Sequence, residues 1–228
     1  MSAFSRSITE VPLFRGLPKE AIRFIEQHIV VKRYPKNETI CKVGDHSTLL
    51  GLLLSGSLSV SVLTPNGREV GLTIIHSPTS FGELSAIDSK ARSASLTTNG
   101  ECIVGWLTQA ALNTAITNTP QLALNLLQHM AGLVRATNEQ VLLLSNHSTL
   151  QRICTFLLRK PFLVSGGDIQ VIDLPPQREI ANLTNTTRET VSRTLVNLEE
   201  DGVVKKQGKK LIIVDRDALE RIINDCNS

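Results

Sequence analysis

Two short stretches of this 228-residue chain carry side chains whose types and spacing could do chemistry. The first, FGELSAIDSKARSA at 81–94, places a Gly-Glu pair ahead of an arginine. Arg92 could offer paired donors to a phosphate, with backbone N–H groups around Ser93 and Ala94 completing a cradle. Glu83 could accept from a sugar hydroxyl, and Gly82 permits a close backbone approach. The alternative is a salt bridge between Glu83 and Arg92 that closes a loop. Local sequence leaves both open.

The second stretch, PPQREIANLTNTTRETVSRTLVNLEEDGVV, has the core spacing of a helix-turn-helix. Ala181 is small where two helices would touch, Asn185 tolerates the left-handed backbone of a turn, and Val191 is a β-branched core contact. A second helix is expected from about Thr187 to Glu200, with Val191, Leu195 and Leu198 inward. Arg188, Glu189, Ser192 and Arg193 then share an arc of about 140° on the other side. Arginine forks match a guanine edge, and a carboxylate accepts from the cytosine amino group. A glutamate set among arginines repels phosphates but suits base reading. Thr186-x-x-Glu189 also fits a capping box, which would give Glu189 a purely structural role. Downstream, VVKKQGKKLIIVD predicts a hairpin with Lys205, Lys206, Lys209 and Lys210 near its tip, suited to phosphate contact.

These groups need a scaffold. Residues 11–30 predict a short amphipathic helix. From about 31 to 108 short β-prone runs alternate with turn signals, among them Asn66-Gly67, and indicate an antiparallel barrel or roll. Pro120–Asn146 reads as one long helix, with Thr119 before it as a cap. Leu126, Met130, Val134, Thr137, Val141 and Leu144 recur along it as a stripe suited to a parallel coiled coil with a second copy. A further unit follows: a helix, a Ser165-Gly166-Gly167 turn, a strand, the helix-turn-helix and the basic hairpin. The expected division is 1–118 for the roll, 119–146 for the dimerisation helix and 147–228 for a winged helix-turn-helix domain. The fold class is α+β.

Composition excludes several alternatives. A formal net charge of +3 does not by itself announce a nucleic-acid partner, so local placement decides. The N-terminus lacks the pattern of a signal peptide, and no run approaches the roughly 18 apolar residues of a membrane span. A cytoplasmic protein with no membrane partner is expected. Cys41, Cys102, Cys154 and Cys226 are widely spaced, which argues against a metal or iron-sulfur site. His76, a conceivable haem ligand, reads as a solvated lone histidine. No Ser/His/Asp, metal or P-loop arrangement points to an enzyme.

Taken in order, the roll, the FGEL…RSA segment, the long helix and TTRETVSR resemble the cyclic AMP receptor / fumarate-nitrate regulator family of bacterial transcription factors. The resemblance spans nearly the whole chain. It implies that the roll is a cyclic-nucleotide-binding jelly roll. Gly82 and Glu83 then match the ribose contacts and Arg92 and Ser93 the cyclic phosphate contacts, with Leu84 and Ala94 beside them in the ligand site. The base contacts fall on Thr137 and Asn138, one from each subunit. Asn138 departs from the family's pair of hydroxyl residues, so cyclic AMP is the first ligand implied and cyclic GMP or cyclic di-GMP stay open. Arg188, Glu189 and Arg193 match a TGTGA-reading helix, whereas Ser192 is the residue of the oxygen-sensing branch. Lys209 would contact phosphate. The resemblance further implies a homodimer on a DNA palindrome and contact with RNA polymerase. A ligand-independent DNA-binding factor of the same fold is the rival reading.

Overall fold

Alternating hydrophobic runs of the N-terminal half fold into β1 (Ile29–Tyr34), β2 (Thr39–Cys41), β3 (Leu50–Ser55), β4 (Ser57–Leu63), β5 (Glu69–His76), β6 (Thr79–Phe81), β7 (Ser95–Thr98) and β8 (Cys102–Leu107). They form two antiparallel sheets, ordered β1-β8-β3-β6 and β2-β7-β4-β5. The computed structural model describes residues 8–63, 69–145, 148–166 and 169–225. The turn at Asn66-Gly67 lies outside them, although β4 and β5 pair antiparallel on either side of it. His76 ends β5 and is exposed.

β3 shows why the roll has two cores. Its sequence LGLLLS is apolar at successive positions because both faces are covered. Leu53 joins Cys41, Leu58, Phe81, Leu96, Cys102 and Val104 between the sheets. Leu50 and Leu52 face the other way, into a layer of helices. That layer holds a 3-10 turn at Pro12–Phe14, α1 (Lys19–His28), α2 (Glu83–Asp88), α3 (Gln109–Asn118) and the start of α4 (Pro120–Leu144). The helix expected across 11–30 begins only at Lys19. Pro18 holds extended backbone at its N-cap, where a missing N–H costs nothing.

Gly51 positions the site to come. A Cβ there would stand 2.2 Å from the Phe81 ring, which also meets Trp106 edge to face with centroids 5.4 Å apart. Phe81 is the residue before Gly82, so the space over Gly51 fixes where the FGEL…RSA segment, the candidate ligand cassette, begins. Gly51→Ala is expected to cost about 1–3 kcal/mol through overpacking. Urea unfolding measures it, and an unchanged midpoint would show that Phe81 can move freely.

α4 serves both units of the chain, which divide at 135/136. Leu122 and Leu126 are buried in the roll's helical layer, and Asn125 donates to the carbonyls of Leu13 (2.9 Å) and Arg15 (2.8 Å). Leu126 is therefore a core residue and does not belong to the outward stripe expected of it. Further along, Leu143 is buried in the second core and Leu144 packs on it. The Gln140 side chain donates to the carbonyl of Leu183 (2.8 Å). α4 (Pro120–Leu144) thus contributes residues to the core of each unit. Leu124, Leu127, Val134 and Val141 are the exposed apolar line, between 54% and 65% accessible.

The second unit adds α5 (Thr149–Leu158), β9 (Phe162–Gly166), β10 (Ile169–Asp173), α6 (Gln177–Leu183), α7 (Arg188–Glu200), β11 (Val204–Gln207), β12 (Lys210–Ile213) and α8 (Arg216–Asn224). Its sheet runs β11-β12-β10-β9. Ser165 and Gly166, expected in a turn, instead end β9, which pairs antiparallel with β10; Gly167 lies outside the described residues. α8 starts where Asp215 accepts from the Ala218 N–H (2.8 Å), and its Leu219 closes the core. Cys226 lies outside the described residues.

Candidate functional site

The cassette begins where β6 ends. Gly82 adopts φ +78°, and a Cβ on it would meet Arg92 Nη1 at 2.0 Å. The close approach that glycine permits here is that of Arg92 itself. Arg92 is 4% exposed; its Nη1 donates to the Gly82 carbonyl (3.0 Å) and its Nη2 to the Leu49 carbonyl (2.6 Å) and Ser47 Oγ (3.2 Å). Its backbone is held as well, by Arg92 N–H to the Asp45 carbonyl and Gly44 N–H to the Arg92 carbonyl, both 2.9 Å. Ser93 is exposed and Ala94 half-buried just beyond.

Glu83 opens α2 and is 4% exposed, whereas Leu84 beside it is 46% exposed and turned outward. The far end of α2 is anchored by Gln109, which donates to the Ala86 carbonyl and to Ser89 Oγ, both at 2.9 Å. Glu83 and Arg92 make no ion pair with each other among the described residues. Glu83 faces His129 of α4 instead, with Nε2 2.8 Å from Oε1. The contact is within ion-pair reach but off the line of an aligned N–H···O bond. The neighbouring carboxylate holds the His129 imidazole above its ordinary pKa, against the opposing effect of burial. Buried side-chain polar atoms without an aligned partner number four among the described residues: Ser80 Oγ, Glu83 Oε1, Arg92 Nε and His129 Nε2. Three of them belong to the cassette and the strand leading into it. Such atoms are costly in a protein interior unless a ligand or water serves them.

In the second unit, α6 and α7 meet through a turn in which Asn185 takes φ 51°, as expected of it. Ala181 and Val191 are buried beneath that turn, and Leu195 and Leu198 continue the inward face of α7. The cap of α7 is Thr187, whose Oγ1 accepts from the Thr190 N–H (3.2 Å). Glu189 is therefore not the partner in a capping box. Arg188, Glu189 and Arg193 are exposed and Ser192 half-buried, and together with Gln177 and Val196 they line a concavity of about 450 Å³.

These two arrangements match known families. Residues 31–119 match the model of the cyclic nucleotide-binding domain and residues 151–222 that of the Crp-like helix-turn-helix domain. The chain is 30% identical over 194 residues to a cyclic AMP receptor protein of Thermus thermophilus, covering 85% of this chain and 88% of that protein. The chain belongs to the cyclic AMP receptor / fumarate-nitrate regulator family.

Another member, a CRP-like cAMP-activated global transcriptional regulator of Mycobacterium tuberculosis, is 29% identical over 92% of this chain and 95% of its own length. The c-di-GMP responsive global regulator CLP of Xanthomonas campestris shares the fold, with a TM-score of 0.69, 22% identity, and coverage of 86% of this chain and 99% of that one. No described helix is long and apolar enough to cross a membrane. As a family member the chain is a transcription regulator with a cyclic-nucleotide-binding domain and a DNA-binding helix-turn-helix. Thr137 and Asn138 are exposed on α4, in the stretch that belongs to the second unit. The wing lysines Lys205, Lys206, Lys209 and Lys210 are exposed on β11, β12 and their turn. Gln177, Val196 and His129 are the residues that sequence reasoning did not single out. The clue to His129 was helical spacing: Leu122, Leu126 and His129 stand at i, i+4 and i+7, all toward the roll.

Proposed function

We propose that the protein is a homodimeric, cytoplasmic transcription regulator whose DNA binding is gated by a cyclic nucleotide, cyclic AMP first among them. The observation that carries this reading is Arg92: a buried guanidinium with no acidic partner among the described residues and an Nε without an acceptor. A buried cation is sustained by an anion, and a cyclic phosphate supplies one. Glu83, nine residues earlier in the chain, offers the acceptor for a ribose hydroxyl. Gly82 and Leu84 frame the ribose side, Ser93 and Ala94 the phosphate side, and Thr137 and Asn138 would meet the base. The exposed line Leu124, Leu127, Val134 and Val141 supports pairing of two α4 helices, since Leu127, Val134 and Val141 recur at heptad spacing.

A dimer so built holds two recognition helices about 34 Å apart on a pseudo-palindrome with TGTGA-like half-sites. Arg188, Glu189, Ser192 and Arg193 read bases and Lys209 touches phosphate. RNA polymerase is the downstream partner. The ligand must favour one dimer arrangement over the other, because equal affinity for both shifts nothing.

The test is fluorescence anisotropy of a labelled palindromic duplex with the full-length protein, without nucleotide and with cyclic AMP, cyclic GMP or cyclic di-GMP. Tighter binding with one nucleotide, together with saturable binding of that nucleotide, supports the proposal. Specific DNA binding that none of the three alters would establish the ligand-independent factor instead.

A further inference from the structure

We propose that His129 is a working member of the nucleotide site, a positioning residue that fixes the Glu83 carboxylate for the ligand's hydroxyl and couples nucleotide binding to its own proton. The inference rests on the cyclic-nucleotide reading above and adds to it a residue from outside the cassette. Three facts carry it. His129 Nε2 lies 2.8 Å from Glu83 Oε1. Both atoms are buried and lack an aligned hydrogen-bond partner among the described residues. The pair joins α2, which starts the cassette, to α4, which Leu122 and Asn125 fasten to the roll.

Chemistry decides whether the imidazole stays or leaves when ligand arrives. A carboxylate has two oxygens and about four lone-pair sites, so it can take a ribose hydroxyl and keep an imidazolium. A neutral hydroxyl alone is a poor substitute for a cation beside a buried carboxylate, since charge-assisted bonds are roughly twice as strong. His129 therefore remains on Glu83 and orients its free lone pairs. The incoming cyclic phosphate is a monoanion throughout the neutral range, so it adds negative charge near the imidazolium and favours the protonated form further.

The surroundings simplify the titration. Glu83 on α2 is the charged group that acts on His129, and Arg92 stands beyond Gly82 on the following loop. On α4 its neighbours a turn away, Asn125 and Leu133, carry no charge. Burial raises the Cys41 thiol against the opposing field of Arg92, which keeps it neutral in this range. The sign follows. Glu83 already lifts the imidazole above its unfolded value of about 6.5. The pair's contribution to stability is therefore complete below that value and lost as pH rises through the folded value. If the ligand-bound value is higher still, binding takes up a proton, and affinity falls as pH rises through the free protein's value.

The experiment is calorimetric titration of the full-length protein with cyclic AMP from pH 6 to 8.5, for the wild type, His129→Gln and His129→Leu. The expected result is a roughly tenfold loss of wild-type affinity across that range. His129→Gln should bind about tenfold more weakly than wild type at pH 6 with a flat profile, and His129→Leu more weakly again. Variants that bind as tightly as wild type at pH 6, or a pH profile that survives in His129→Gln, would overturn the inference and leave the nucleotide reading intact. Wild-type protein that binds neither cyclic AMP, cyclic GMP nor cyclic di-GMP overturns both. Should the variants fold poorly, NMR titration of the wild-type His129 imidazole decides: its pKa must rise when cyclic AMP is added, and an unchanged or lowered value refutes the coupling.

Discussion

Arg92→Ala is expected to weaken cyclic-nucleotide binding by more than about a hundredfold, with a smaller loss of fold stability. The first figure follows from removing a charge-assisted fork to phosphate, whose bonds contribute about 1.5–3 kcal/mol each. The second follows from what the guanidinium does inside the protein. It satisfies the carbonyls of Gly82 and Leu49, and without it those acceptors depend on water entering the site. Arg92→Lys separates the two roles. Lysine keeps the charge but loses the planar fork, so binding should be intermediate. Thermal unfolding with and without cyclic AMP reads both quantities at once. Wild-type protein at a hundredfold excess over Kd should gain about 2.7 kcal/mol. The alanine variant should show a lowered baseline and no ligand-induced shift. Ligand stabilisation equal to that of wild type would reduce Arg92 to a loop fastener.

The same residue shows how far the sequence could be read and where reading stopped. FGEL…RSA announced a carboxylate and a guanidinium, and local chemistry left a mutual salt bridge open. That question depends on directions in space which a nine-residue separation does not fix. The fold turns Arg92 toward backbone carbonyls and Glu83 toward α4, so neither satisfies the other. The partner of Glu83 lies 46 residues downstream, on a helix whose apolar positions were assigned to one stripe. Two faces share that helix. Leu122 and Leu126 belong to the roll, whereas Leu127, Val134 and Val141 are exposed. A period near 3.6 cannot tell which apolar line meets which neighbour, and reading Leu126 as outward concealed His129 beside it. Asn185 was legible for the opposite reason. A left-handed turn position is a local backbone requirement, met by few residue types, and the chain supplies one there with φ 51°.

Local rules also decide the recognition helix, and there the second large effect is expected. Glu189→Ala should weaken binding to the cognate palindrome by about 1–3 kcal/mol, roughly 5- to 150-fold, through lost discrimination at a single base pair. On unrelated DNA the same change should leave affinity unaltered or slightly raised, because it removes a negative charge from a surface that meets phosphates. Arg188→Ala and Arg193→Ala share the cognate loss but cannot share the gain, since each removes a cation. The opposite signs on unrelated DNA separate base reading from simple charge. A structural role for Glu189 has little left to explain. Thr187 already caps α7, and an acidic residue in the first turn adds only about 0.3–1 kcal/mol through the helix dipole. Thermal unfolding of the variant controls for that term. Lys209→Ala supplies the contrast: uniform weakening across all sequences and a salt dependence shallower by about one phosphate. Anisotropy titrations on cognate, single-substituted and scrambled duplexes at two salt concentrations distinguish these outcomes. If Glu189→Ala weakened every duplex equally, its carboxylate would not be reading a base, and the base-reading role proposed for the concavity lined by Gln177, Arg188 and Arg193 would fall.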